Sequence, residues 1–201
     1  MPTINGKVCV VNGVPVDRAF SNGNQVYGRN MLTNSNFSSG LWALNRGTNS
    51  DGEAVVTTDS DGDTCVHITG TGKKCGLYRF PVPFNQNQVT TGSVLVKGTG
   101  KLSLVGLEHR PFSNFGTIST ESYSKVGSTV RAASITDAFC IYFNSVNGVL
   151  DVYIKFVKLE KGSVETPWTP APEDVLKGYI AAPKNLKATV IDLSTEKLDW
   201  E

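Results

Sequence analysis

Long apolar runs, charge of one sign and helical periodicity are all missing from this chain. No stretch approaches the roughly 18 consecutive apolar residues that a membrane-spanning helix needs. The 19 basic and 18 acidic side chains are interspersed and give a net charge of +1. No field of one sign is therefore available to draw in DNA, RNA or an anionic membrane, and neither is expected as a partner. The first residues, MPTINGKVCVVNGVPVD, lack the charged-then-apolar layout of a secretion signal, so folding in a cytoplasm is expected. Charged residues are 18% and apolar residues 39% of the total. Gly, Ser, Thr and Asn fill the gap, a mixture that suits short strands joined by turns.

Reactive groups are scarce too. There are two histidines, His67 and His109. The sequence holds no G-x-S-x-G, H-E-x-x-H or phosphate-loop motif, and no catalytic residue or cofactor is expected. His67 falls mid-strand in Cys-Val-His-Ile-Thr and reads as a half-buried structural residue. Cys9, Cys65, Cys75 and Cys140 match no zinc or redox spacing and read as small, partly buried thiols. Cys65 and Cys75 flank Gly70-Thr71-Gly72 and could face each other across a hairpin. The Asp59-Ser-Asp-Gly-Asp63 turn alternates like a calcium loop. Its twelfth position is Gly70 where an EF-hand has Glu, so a solvated acidic turn is expected and no metal.

What the chain does hold is strands. Candidates are Leu41–Asn45, Ala54–Thr58, Thr64–Thr69, Gly76–Phe84, Gly92–Lys97, Lys101–Leu107, Thr129–Ser134, Ala138–Phe143 and Val149–Leu159, separated by Gly, Asn, Asp and Ser turns. This even spacing is the signature of an all-β sandwich or barrel, and an antiparallel β-sandwich over residues 30–170 is expected. Alternation assigns faces. Leu150, Val152, Ile154 and Phe156 share one side of their strand, and Asp151, Tyr153 and Lys155 the other. Phe139, Ile141 and Phe143 oppose Cys140 and Tyr142. Tyr78, Phe80, Val82 and Phe84 oppose Arg79. The expected core is Val152, Ile154, Phe156, Phe139, Ile141 and Phe143. Residues 1–29 form a leader with Asn-Gly turns, too short to bury a core alone. Residues 171–182 are a linker with one short helical turn at Pro172–Gly178, stopped by Gly178.

Three segments carry a resemblance. Asn30-Met-Leu-Thr-Asn-Ser-Asn-Phe37 resembles the opening "N-L-L-x-N-x-x-F" of the jelly-roll carbohydrate-binding modules found in bacteriophage tail and baseplate proteins. Val157 to Asp174, VKLEKGSVETPWTPAPED, resembles their closing strand and exit. Gly92-Ser-Val-Leu-Val-Lys-Gly98 resembles their "Y-T-L-S-V-Y-V-K-G" strand. The leader VNGVPVDRAFSNGNQVYGRN is similar to a linker preceding such modules in phages of lactic-acid bacteria. Residues 183–201, PKNLKATVIDLSTEKLDWE, look like the first two strands of a fibronectin type III domain. The resemblance implies a jelly roll that binds host cell-wall polysaccharide without catalysis, alongside other tail proteins, in a virion tail tip or baseplate. Many such modules hold a structural calcium through an acidic residue of the last strand. Here Lys155 stands in that place, against a calcium.

Sugar recognition needs aromatic faces for the C–H-rich side of a pyranose and planar polar partners for its hydroxyls. The long segment Glu108–Tyr123, patternless and read as a loop, offers both. Tyr142, Tyr153 and Arg79 would line one outer sheet face if their strands share a sheet. Trp42 follows the opening turn, and Trp168, between prolines, would seal the exit. The expected carbohydrate-binding set is Trp42, Arg79, His109, Arg110, Phe115, Tyr123 and Tyr142. Against it stands core packing of Trp42, Phe112 and Phe115. A connector domain of the tail, binding protein, is the alternative function. A jelly-roll glycosidase would need two facing carboxylates.

Overall fold

The structure, a computed structural model, describes residues 6–109, 116–181 and 190–192, and of residues 177–181, 190 and 192 the backbone alone. The leader forms β1 (Val8–Val11), β2 (Val14–Pro15), β3 (Arg18–Ser21) and β4 (Asn24–Gly28). β1–β2 and β3–β4 are antiparallel hairpins, turned at Asn12-Gly13 and Asn22-Gly23, all four of which have positive φ as such turns require.

The sandwich follows as β5 (Ala43–Arg46), β6 (Glu53–Thr58), β7 (Thr64–Gly70), β8 (Cys75–Pro83), β9 (Val89–Leu107), β10 (Thr117–Arg131), β11 (Thr136–Asn144) and β12 (Leu150–Lys161). Two four-stranded layers share β9. Its first half, Thr90–Thr99, pairs with β12, which continues to β7 and β6. Its second half, Lys101–Leu107, pairs with β11, which continues to β8 and β5. β10 lies along the outer edge of β9. The chain thus alternates between layers in an antiparallel β-sandwich of jelly-roll type. The crossing on β9 uses Gly98 at φ +109°, where a Cβ would meet the Asp151 carbonyl oxygen at 2.1 Å. No side chain fits there.

Between the layers lies one apolar core, with Val66 and Ile68 of β7, Val94 and Val96 of β9, Phe139, Ile141 and Phe143 of β11, and Val152 and Ile154 of β12. Ile154 is fully buried, so Ile154→Ala is expected to cost about 2–5 kcal/mol from lost burial and the cavity left. A thermal melt unchanged by that substitution would show that the residue does not support the core.

Phe156, expected in the core, is only half-buried. A bulge between Lys155 and Lys158 adds one residue to β12, and Phe156 adopts φ +55°. The period-2 alternation slips, so Val157 and Leu159 take the inner positions while Phe156 stacks on Trp168 at 4.7 Å. Lys155, expected outside, is buried. The strand Tyr78–Phe84 breaks phase as well. Leu77 and Val82 point inward and Phe80 is 62% exposed, because a register shift between Asp137 and Phe139 offsets β8 from β11.

Three further expectations change. Ile118–Tyr123 belongs to the 15-residue strand β10, not to a loop. Cys65 and Cys75 sit on β7 and β8, strands of different layers that do not pair with each other, and all four cysteines are free and buried. Helix α1 (Pro172–Ala181) runs through Gly178 instead of stopping there; a glycine inside a helix costs about 1 kcal/mol, which need not end it.

The opening and the exit of the sandwich are tied to each other. Trp168 donates its Nε1–H to the Val157 carbonyl at 3.1 Å and to Ser35 Oγ at 3.3 Å. The leader docks at the same end. Gly28 lies so close to Glu160 that a Cβ would fall 1.7 Å from its carboxylate, and the Gly28 N–H donates to Thr166 Oγ1 at 3.0 Å. Lys158, fully buried, donates to Thr166 Oγ1 and the Pro167 carbonyl. Burial pulls its ammonium down to about 8, against the nearby Glu160 carboxylate, which holds it up. Val8 and Val10 of β1 pack on Val175 and Leu176 of α1. The three residues of β13 (Val190–Asp192) add a parallel strand to β1, Val8 opposite Val190; the rest of residues 183–201, where the start of a fibronectin type III domain was expected, lies outside the described residues.

Candidate saccharide-binding groove

The sheet order separates the residues that alternation placed on outer faces. Tyr142 is on β11, in the β5–β8–β11–β9 layer, and Tyr153 on β12, in the other. The two tyrosines therefore look away from the core in opposite directions. Arg79 joins neither. It lies opposite Phe139 and donates to Thr33 Oγ1 at 2.8 Å, beside the opening segment.

The outer face of the β5–β8–β11–β9 layer carries Leu104, Ala138, Cys140 and Tyr142, with Tyr78 packed against them. Beside this apolar floor runs a groove of about 700 Å³, lined among others by Asn45, Lys73, Glu108, His109, Tyr142 and Asn144. Pairing builds it. The Glu108 N–H donates to the Ala138 carbonyl at 3.0 Å, which brings the end of β9 over β11. His109 Nδ1 then meets Asp137 Oδ1 at 2.7 Å. Asp137 is buried and its Oδ1 also accepts from the Ala138 N–H, so the imidazole is anchored at Nδ1 while the side chain stays 72% exposed. The hydrogen bond and charge of Asp137 raise the His109 pKa above its ordinary value, and the ring keeps two N–H donors to higher pH than a free histidine. At the other end, Asn144 Oδ1 accepts from the Lys74 N–H at 2.9 Å, fixing that amide. Burial, then the neighbouring Cys140, push the Tyr142 hydroxyl well above its usual range, against Asn45, whose hydrogen bond draws it down. It stays a neutral hydroxyl.

Of the expected sugar-binding set, His109 and Tyr142 come together here. Trp42 does not. Its ring is 4% exposed, packs on Phe37 at 5.2 Å and Phe139 at 6.4 Å, and donates Nε1–H to the Asn34 carbonyl. Its ring is spent on the core. Tyr142 is 5% exposed, so it reaches the groove as part of the lining and not as a stacking face. Tyr123 lies on the other layer, under the Lys97 and Lys155 ammoniums at 4.7 and 4.4 Å. Arg110 and Phe115, with Phe112, lie outside the described residues. Asn45, Lys73 and Asn144 were not singled out by sequence, and Glu108 only as the head of the Glu108–Tyr123 segment. Their signal is position alone, at strand ends on one rim.

The Asp59–Asp63 turn is solvated at Asp61 and Asp63 but not at Asp59, whose carboxylate is buried. The Lys155 Nζ lies 2.6 Å from Asp59, 3.2 Å from Asp61 and 2.8 Å from Asp63. The three carboxylates lie within 4.8 Å of one another, a spacing that could hold a cation, but the ammonium fills their focus. A metal ion there would meet a fixed positive charge at bonding distance, and the residues present do not fit one.

No family model matches the chain, and no curated protein matches it. Solved structures do. The CBM22-1 xylan-binding domain of Paenibacillus barcinonensis Xyn10C is 12% identical over 70% of this chain and 99% of that domain, with a TM-score of 0.48. The enzymatically active domain of Bacteriophage CBA120 tailspike protein 4 is 14% identical over 66% of this chain and 21% of that one, with a TM-score of 0.46. The CBM22-1-GH10 modules of Clostridium thermocellum xylanase 10B, complexed with xylohexaose, are 14% identical over 58% of this chain and 25% of that one, with a TM-score of 0.40. The chain therefore spans about a fifth to a quarter of the tailspike and xylanase chains and nearly all of the xylan-binding domain.

Proposed function

We propose that this chain is a non-catalytic carbohydrate-binding module of a phage tail or baseplate protein, binding host cell-wall polysaccharide during adsorption. The observation that carries the binding is the groove over β11. It combines an imidazole anchored on Asp137, two side-chain amides, an ammonium and a neutral tyrosine hydroxyl, the polar partners that pyranose hydroxyls need. Hydrolysis would need two carboxylates facing across the bond. Among the described residues lining this groove, Glu108 is the one carboxylate. The phage setting rests on the resemblance of the opening and exit segments, which the fold joins at Asn30, Ser35 and Trp168.

The test is a pull-down on purified wall polysaccharide of a lactic-acid bacterium, on xylan and on β-glucan. His109→Ala with Lys73→Ala is expected to weaken binding at least about tenfold, the loss of one to two charge-assisted hydrogen bonds, with no reducing sugar released by either protein; the variant is expected to melt lower, because the buried Asp137 loses its partner, and is assayed at a temperature where its melt shows it folded. Because the net charge is near zero, binding is expected to change little between low and high salt. Release of reducing sugar, or binding that survives the double substitution intact, would sink this reading.

A further inference from the structure

The opposite face of the sandwich is built along similar lines. Val94 and Val96 fill the core, so Ser93, Leu95, Lys97 and Thr99 of β9 point outward from the β6–β7–β12–β9 layer, a strip about 20 Å long at roughly 3.3 Å per residue. At its Thr99 end lies a polar groove of about 600 Å³, lined by Lys97, Thr99, Glu121, Asp151 and Tyr153 among others. At its Ser93 end lies a hollow of about 290 Å³, walled by Leu95, Pro167, Phe156 and Trp168. The Tyr123 ring lies against the same strip, 4.7 Å from the Lys97 and 4.4 Å from the Lys155 ammonium.

Two features mark this strip as more than ordinary surface. Phe156 has φ +55°, a conformation that a bulky side chain adopts only against strain. The strained bulge turns an aromatic ring out of the core and lays it on Trp168 at the edge of the hollow. The polar end is organised as well. His67 stacks on Tyr153 at 4.2 Å, nearly parallel, and its Nε2 meets Asp151 Oδ1 at 2.8 Å, so the groove's tyrosine and carboxylate are both held. Lysines and carboxylates balance along the strip, with Lys125 paired to Glu165 beside the hollow. Hydroxyls, a carboxylate, an ammonium and aromatic rings in one line suit a neutral oligosaccharide lying along the strands. An apolar protein partner would need a broader apolar patch.

We propose that this face is a second saccharide-binding surface, so that one chain holds two glycan strands, one on each side of the sandwich. The proposal rests on the carbohydrate-binding reading above. The core separates the two faces, so they act as two sites linked rigidly, and the second contributes avidity on a wall that offers many chains.

The experiment compares the unmodified chain, a strip variant (Lys97→Ala, Thr99→Ala, Glu121→Ala) and the groove variant (His109→Ala, Lys73→Ala). Each is assayed on immobilised wall polysaccharide and, by light scattering, on the same polysaccharide in solution. All altered side chains are outside the core, and a thermal melt checks folding. The unmodified chain is expected to cross-link the soluble polymer and scatter light. The strip variant is expected to keep the groove's binding, lose scattering, and bind the immobilised polymer at least about tenfold more weakly. The groove variant is expected to do likewise, and the combined variant to bind neither form. A strip variant that scatters and binds like the unmodified chain overturns the second surface and leaves the groove standing. Failure of the unmodified chain to bind the wall polysaccharide in either form overturns both.

Discussion

Lys155→Met is expected to destabilise the protein by about 3 kcal/mol and to reverse the way its stability depends on pH. The ammonium is 4% exposed and Asp59 1%, while Asp61 and Asp63 are 66% and 38% exposed. Breaking a buried ion pair from one side costs about 3–5 kcal/mol, and the exposure of two partners places the expectation at the lower end. Burial alone would raise the Asp59 pKa. Hydrogen bonds from Lys155 and from the Asp63 and Asp61 backbone N–H groups outweigh it and hold the carboxyl below its ordinary value. Burial would likewise lower the Lys155 pKa, and the three carboxylates outweigh it and raise it. A depressed carboxyl gives stability that is present above its unfolded pKa and is lost as pH falls through its folded one. The unmodified chain is therefore expected to lose this contribution only in acid, below the usual carboxylate range. In Lys155→Met, three carboxylates crowd without a cation, so protonation relieves them. Its melting temperature is expected to rise between pH 8 and pH 5, over a range where the unmodified chain gains nothing from this cluster. Calcium at about 10 mM is expected to restore part of the loss, about 1.4 kcal/mol for a dissociation constant of about 1 mM, and to leave the unmodified chain unmoved. A variant that melts like the unmodified chain at pH 7.5 would refute the ion cluster as a support of the fold.

That cluster shows what a linear reading reaches and where it stops. Alternation found Val152 and Ile154 because their neighbours keep a two-residue period through the middle of β12. It failed at Phe156, where one extra residue between Lys155 and Lys158 reverses the facing of everything after it, and no local signal marks a bulge without glycine. Lys155 meets partners 92 to 96 residues earlier, a distance no pattern spans. The Ser- and Thr-rich Thr117–Tyr123 read as a loop because β10 is an edge strand with most of that stretch exposed. Without an apolar stripe there is nothing for alternation to catch. Within the groove, Tyr142 was legible as the outward residue between Ile141 and Phe143. Asn45, Lys73 and Asn144 were not, since only the pairing of β5, β8 and β11 brings their strand ends to one rim. Phe80 misled for the opposite reason. It looks like a core residue in an alternating strand and is turned to solvent by a register shift on its neighbour.

Asn30→Ala is expected to cost about 3–5 kcal/mol, although a lone asparagine before a turn ordinarily reads as dispensable. Asn30 is fully buried. Its Nδ2 lies 2.9 Å from Ser35 Oγ, 3.0 Å from the Val157 carbonyl and 2.9 Å from the Thr169 carbonyl. Its Oδ1 accepts from the N–H groups of Leu32 at 3.1 Å and Leu159 at 3.2 Å. One amide therefore serves the opening segment, the last strand and the exit. Alanine keeps none of these bonds. It strips the side-chain partner from the Thr169 carbonyl and the Leu32 and Leu159 N–H groups, each buried polar group worth about 1–3 kcal/mol when left unmade. Asn30→Asp is expected to fare no better, since it keeps the acceptor, loses both donors and buries a charge against two carbonyl oxygens. Asn36→Ala, six residues on, removes an acceptor for the local Ser38 groups and is expected to cost under about 1 kcal/mol. Urea unfolding of the three variants measures the difference. Hydrogen exchange locates it, because the amides of Leu32 and Leu159 lose their acceptor directly and should exchange earlier than those of Val152 and Ile154. Equal midpoints for Asn30→Ala and Asn36→Ala would mean that the opening and exit segments are held by Trp168 and the core alone.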